Sequence, residues 1–281
     1  MKSVKILAFL SCIASMVSCS KNSHQPDNEI RVTEFPSYGA QYTVLYNDQG
    51  KPSVIKTKAF ASGPYSLLQS GTTEFHTSGG QITGFTFTGE LIGGGPSVKS
   101  TTTFVWKSGR LHQSVPDNPE ATPTYWKTDI TGRIIGSASN ANDLQTGNDW
   151  RYDAKGDLYY TNNGNNSTEF TYAGKQNPFA YGGSGQLLYI TLQGLLAEPA
   201  LMLSAHLPEK IISRKTGSVN FGGSSNNTFE ERIAKEYSYE YDAAGLLISY
   251  TLTTNAESFT NGTLASKSYS QNKFPVKCVR L

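Results

Sequence analysis

Along most of the chain, aromatic and β-branched residues alternate with Thr, Ser and Glu. The clearest runs are Tyr42-Thr-Val-Leu-Tyr46, Gly84-Phe-Thr-Phe-Thr88, Thr101-Thr-Thr-Phe-Val-Trp106, Glu169-Phe-Thr-Tyr172, Glu236-Tyr-Ser-Tyr-Glu-Tyr241 and Leu247-Ile-Ser-Tyr-Thr-Leu252. A period of two turns one side of a strand to a core and the other to water, and the Gly, Asn and Ser clusters between the runs mark turns. The pattern predicts a mainly β protein, a large antiparallel meander of hairpins, twisted or curled.

Four of the turns share a finer spacing, an Asn or Asp three residues before a Gly: Asn47 and Gly50, Asp129 and Gly132, Asp153 and Gly156, Asp242 and Gly245. The side-chain oxygen can accept the backbone N–H two residues on, and Gly can take positive φ, which is the chemistry of a type I turn closed by a G1 bulge. Counting outward from each loop pairs Tyr46 with Pro52, Thr128 with Ile134, Tyr152 with Leu158 and Tyr241 with Leu247. The next pairs on the same apolar face are then Val44 with Val54, Trp126 with Gly136, Trp150 with Tyr160 and Tyr239 with Ser249. Trp126 and Trp150 are accordingly core residues. The alternate face holds Lys127, Arg133, Arg151, Asp157 and Glu240 and is expected to be wetter, although Leu246 and Ile248 also fall there.

One stretch, residues 186–206, departs from this alternation. Leu188, Leu192, Leu195 and Leu196 have helical spacing, as do Leu201 and Ala205, while Gly194 and Pro199 interrupt a single helix. Two short helices covering an open end or face of the sheet are predicted.

The amino terminus has a different design. Lys2 and Lys5 precede an apolar run from Ile6 to Val17, the layout of a secretory signal and too short to span a bilayer as a helix. The run ends in Met16-Val17-Ser18-Cys19, which resembles the lipobox of bacterial lipoproteins. The resemblance implies that residues 1–18 are removed, that Cys19 is acylated as the first mature residue, and that the chain is anchored to a membrane. Residues 19–33 are polar and without period and read as a tether, leaving 34–281 as a single β-rich domain.

The repeats Tyr152-Asp-Ala-Lys-Gly-Asp-Leu158 and Tyr241-Asp-Ala-Ala-Gly-Leu-Leu247 resemble the YD motif of RHS-type proteins. With Gly174-Lys-Gln-Asn-Pro-Phe179 and Leu207-Pro-Glu-Lys-Ile211, they resemble more closely Gram-negative lipoproteins of unknown function that carry a few such motifs. The turn glycines are 82, 24 and 89 residues apart (132 − 50, 156 − 132, 245 − 156), so the short constant period of an RHS shell is absent. The resemblance implies a β-rich outer-membrane lipoprotein, periplasmic or surface-exposed, with no assigned catalytic residues.

Charge and composition narrow the chemistry. Without residues 1–18, 22 basic and 22 acidic residues remain (24 − 2 against 22), so nucleic acid is not an expected partner. His24, His76, His112 and His206 are scattered and the three cysteines are Cys12, Cys19 and Cys278, so neither a metal site nor a disulfide framework is expected. Gly182-Gly-Ser-Gly185 and Gly222-Gly-Ser-Ser225 lack the spacing of a nucleophile elbow, and Gly93-Gly-Gly-Pro96 lacks the Lys of a phosphate loop. No cofactor is implied. The turn Asp residues have structural work, and the remaining candidates for ligand contact are the aromatics Trp106, Tyr125 and Tyr159. Two functions fit: a non-enzymatic binding or structural module of the cell envelope that recognises a glycan or an envelope protein, and a lipid-anchored hydrolase of glycosidase type whose carboxylate pair has no fixed sequence spacing.

Overall fold

The computed structural model describes residues 30–37, 40–59, 68–91, 97–144, 149–180, 184–192, 199–220 and 226–280. Cys19 and its lipobox lie outside the described residues. The first sheet contains β1 (Ile30–Ser37), β2 (Ala40–Tyr46), β3 (Pro52–Ala59), β4 (Leu68–Ser78), β5 (Gln81–Leu91), β6 (Val98–Lys107), β7 (Arg110–Pro116), β8 (Thr124–Thr128) and β9 (Ile134–Ala138). The second contains β10 (Asp149–Tyr152), β11 (Leu158–Asn163), β12 (Asn166–Gln176), β13 (His206–Asn220), β14 (Asn226–Tyr241), β15 (Leu247–Thr260) and β16 (Thr263–Pro275). A last strand, β17 (Lys277–Arg280), returns to pair with β1, giving the orders β17-β1-β2-β3-β4-β5-β6-β7-β8-β9 and β10-β11-β12-β13-β14-β15-β16. The expected antiparallel meander is present, divided into two sheets between β9 and β10. It also begins earlier than expected: Ile30 to Thr33, read above as the end of the tether, belong to β1, and Val32 is fully buried.

Because the chain reverses direction at every connection from β1 to β16, the molecule has two ends of different character. The near end receives Ile30 and Arg280, all four Asn/Asp turns, and the segment between β12 and β13 that holds α1 (Ser184–Thr191) and α2 (Pro199–Leu203). The helices fall where two were predicted and plug this end between the sheets. Tyr189 of α1 packs edge-on against Trp126 of the first sheet and Trp150 of the second, and Phe179 packs edge-on against Phe35. Trp126 and Trp150 are both buried. The Tyr152 hydroxyl donates to the Ile134 carbonyl at 2.8 Å, tying β10 to β9 across the division between sheets.

Each turn has the expected geometry. Gly50, Gly132, Gly156 and Gly245 have φ of 68, 87, 89 and 78°. Their N–H groups donate to the carbonyls of Asn47, Asp129, Asp153 and Asp242, and each of those side chains accepts two further amides, two and four residues on. The pairs next to the loops are those expected, Tyr46 with Pro52, Thr128 with Ile134, Tyr152 with Leu158 and Tyr241 with Leu247.

The second pairs are not. Val44 meets Ile55, Trp126 meets Ser137, Trp150 meets Thr161 and Tyr239 meets Tyr250. In all four hairpins a β-bulge just beyond the first pair adds one residue to the departing strand: Ser53, Ile135, Tyr159 or Ile248. A bulge bends and twists its strand, which lets both sheets wrap the plug, and it exchanges faces beyond it. Ile55 and Tyr250 are therefore buried, whereas Tyr160 and Ser249 share the outer face with Arg151 and Glu240. Ile248, anomalous on a polar face in the sequence, is an exposed bulge residue.

Candidate binding groove

Beside α1 the near end opens into a groove of about 310 Å³, walled by Ile82, Trp106, Leu111, Leu187 and Ile190, with Lys51 at its rim. The hairpins of the first sheet supply one wall and the helix the other. Trp106 faces inward with Leu111, its partner across the β6–β7 hairpin, and its indole N–H donates to the Ile82 carbonyl at 2.9 Å. The N–H is thus already engaged, which leaves the apolar ring atoms to line the groove. The Lys51 ammonium donates to the Gly80 carbonyl at 2.6 Å, and the Gln81 and Gln186 amides complete the polar lining. No carboxylate, imidazole, thiol or hydroxyl side chain belongs to the described lining.

The helical wall is positioned by residues whose purpose the sequence did not show. Asn177, in the Gly-Lys-Gln-Asn-Pro-Phe segment, donates from Nδ2 to the carbonyls of Leu201 and Ser204 at 2.8 and 2.9 Å, and its Oδ1 accepts the Phe179 N–H at 3.0 Å. Ser204 Oγ accepts the Leu158 N–H at 3.1 Å and meets the Tyr172 hydroxyl at 2.6 Å. Asp157, expected on the wetter face, is only 2 % exposed. Its two oxygens take the His206 backbone N–H and Nδ1, each at 2.8 Å, where the chain leaves α2 for β13. Asp157 follows a turn glycine, as Lys51, Arg133 and Leu246 do in the other copies, and only contact with the distant His206 distinguishes it. Sequence spacing carries no signal for that contact. The second motif, Leu207 to Ile211, buries its two apolar ends, and the Pro208 carbonyl accepts the Tyr239 hydroxyl.

The three aromatic candidates do not converge. Tyr125 pairs with Gln113, which pairs with Val105, so it lies on the outer face, opposite to Trp106, and meets His112 edge-on. Tyr159 is the 43 % exposed bulge residue of β11, also outside the groove. Cys278 is half-buried; burial first, and then the Asp242 charge, push its thiol up to about 12, so it stays protonated and unreactive at neutral pH. The Asp129 carboxyl, which burial alone would raise, is held down to about 2 by hydrogen bonds from Thr131 and Arg133. Those bonds identify it as a turn staple. Among the described residues no group of three His, Cys, Asp or Glu side chains could hold a metal ion.

No family model and no curated protein matches the chain. Solved structures resemble it, two porin-like proteins among them. A porin-like protein from Bacteroides uniformis has a TM-score of 0.39 and 13 % identity, with 89 % of this chain and 96 % of that chain covered. A porin-like protein from Bacteroides vulgatus has a TM-score of 0.30 and 14 % identity, covering 88 % and 98 %. Likeness of that degree leaves the role of the chain to its own residues.

Proposed function

We propose that this chain is a lipid-anchored binding module of the cell envelope, held through Cys19 to the outer membrane, that retains a glycan in the groove beside α1 without turning it over. The lining of that groove carries the reading: an indole ring for stacking, the Gln81 and Gln186 amides and the Lys51 ammonium for hydroxyl groups, and no carboxylate, imidazole, thiol or hydroxyl side chain. Asp157, the one buried carboxylate among the described residues, is occupied by His206.

The lipobox resemblance supports the anchor. Acyl chains contribute about 0.8 kcal/mol per buried CH₂, and more than one chain holds a protein firmly. The eleven residues from Cys19 to Ile30 (30 − 19) have a contour of at most about 36–40 Å, so the near end stays close to the bilayer.

Two measurements test the proposal. Labelling with a fatty-acid analogue should mark the wild-type chain and spare Cys19→Ala. Retention on a glycan panel should fall at least about tenfold for Trp106→Ala and be largely kept by Trp106→Phe, with thermal melting confirming that both variants fold. Unchanged retention by Trp106→Ala would remove the groove from the account. Product release from a polysaccharide, abolished by one Asp or Glu substitution, would establish the hydrolase instead.

A further inference from the structure

The motif Gly174-Lys-Gln-Asn-Pro-Phe179 is only half used by the fold. Asn177 and Phe179 fasten the plug, but the side chains of Lys175 and Gln176 make no hydrogen bond or ion pair among the described residues. Lys175 stands in a bulge. Tyr172 pairs with Pro208 and Gln176 with His206, so Ala173, Gly174 and Lys175 together face the lone Leu207. Gly174 takes φ of 72° there. Bulges re-aim side chains, and this one sets the Lys175 ammonium 5.7 Å from the centre of the Tyr241 ring.

Tyr241 differs from the other tyrosines that precede an Asn/Asp turn. Tyr46 and Tyr152 each lie beneath an arginine, Arg31 at 5.2 Å and Arg133 at 4.8 Å. Their hydroxyls donate to the carbonyls of Val32 and Ile134, both at 2.8 Å. Tyr241 is 37 % exposed, and its hydroxyl has no hydrogen-bond partner among the described residues. With Lys175 and Gln176 it lines a cavity of about 330 Å³ at the near end, whose apolar lining is Ile30 and the buried Pro178 and Leu247. No residue of this lining belongs to the groove beside α1. A second cation is close by: the Arg280 guanidinium donates to the carbonyl of Ala244, next to Gly245 of the lining, at 2.9 Å. Neither Lys175 nor Arg280 has an acidic partner among the described residues, and the carboxylate of that turn, Asp242, already accepts the Ala244 and Leu246 amides.

We propose that this cavity is a second binding site, for a carboxylate carried on a ring-sized apolar body. Charge selects the head of the ligand: Lys175 and Arg280 against Asp242 leave one positive charge in excess, which suits a monoanion. The Lys175 ammonium, the Gln176 amide and the Tyr241 hydroxyl are donors with no protein acceptor, and donors of this kind bind an anion more strongly than a neutral group. Pro178, Leu247 and Ile30 select the body, because an apolar lining with a few convergent polar groups is the ordinary make-up of a small-molecule site. The site depends neither on a glycan in the groove beside α1 nor on the anchor at Cys19.

Ligand-observed fluorine NMR of para-fluorobenzoate with the purified full chain tests the proposal. The probe should bind in the millimolar range, as a ligand of so few atoms does. Para-fluorobenzyl alcohol, the same ring without the charge, should bind at least about tenfold more weakly. Lys175→Gln should weaken the probe at least about fivefold, Lys175→Arg should keep most of the binding, and Tyr241→Phe, which keeps the ring, should cost less than Lys175→Gln. Lys175 and Tyr241 are both exposed, and thermal melting confirms that the variants fold. No binding at millimolar probe, equal binding of the alcohol, or a Kd unchanged by Lys175→Gln would overturn the proposal. Displacement of the probe by an equal concentration of inorganic phosphate would overturn the carboxylate assignment.

Discussion

The near and far halves of β13, β14, β15 and β16 belong to the same strands and have opposite surroundings. In the near halves Leu207, Ile211, Tyr237, Leu247 and Tyr250 are buried against the plug, whereas among the described residues none from 212 to 218, 227 to 236 or 251 to 275 is buried. The far halves are held by the ladder itself, by ion pairs such as Arg214 with Glu230 at 2.9 Å, and by hydroxyl pairs such as Ser258 with Ser266 at 2.7 Å. Exposed ion pairs are worth about 0–1 kcal/mol each, so backbone pairing dominates there. Strand length in this molecule is therefore not a measure of core. The near half belongs to the core and holds the fold; the far half is surface.

The largest expected contrast is between two substitutions. Leu188→Ala, in the fully buried wall of the plug, should cost about 2–5 kcal/mol in urea unfolding, while Ser270→Ala on β16 should stay within about 0.5 kcal/mol. Similar values would mean that the plug is not the core. Next in size is Asp157→Ala, which leaves the His206 backbone N–H without its acceptor and should cost about 1–3 kcal/mol, with Asp157→Asn intermediate.

The turn glycines should then separate. Gly245→Ala carries the left-handed backbone penalty of about 1–2 kcal/mol, with open space around the new methyl group. Gly50→Ala carries that penalty and also drives a methyl into the Arg31 guanidinium, 2.2 Å away, so its midpoint should fall further. Equal losses would put Arg31 elsewhere than over the Tyr46 ring, where it lies 5.2 Å from the centroid. The smallest effect concerns acid. A carboxyl lowered from 3.8 to about 2 stabilises the fold above its unfolded value and loses that contribution as pH falls through 2. Asp129→Asn should flatten the stability profile over that window, and an unchanged profile would remove Asp129 from the turn.

The near half was also the more legible in sequence. Each Asn/Asp turn and the pair beside it follow from local chemistry, because a side chain bonding two and four residues on and a glycine at positive φ need nothing from the rest of the molecule. The bulges at Ser53, Ile135, Tyr159 and Ile248 answer to the curvature around the plug, which no five-residue window contains, and so the second pairs were each one residue out. Asp157 was placed on the wet face for the same reason: its partner His206 is 49 residues away. Trp106 and Tyr125, both candidates for ligand contact in the sequence, point to opposite sides, which only the pairing across β6, β7 and β8 shows.

Amide hydrogen exchange along β13 and β14 tests the division most directly, since both strands lie inside the second sheet, between β12 and β15, and away from the β16 edge. Residues 207–211 and 235–240 should open only with global unfolding. Residues 213–217 and 228–233, in the far halves, should exchange through local opening at several kcal/mol less. Uniform protection from one end of each strand to the other would contradict a fold held from its near end.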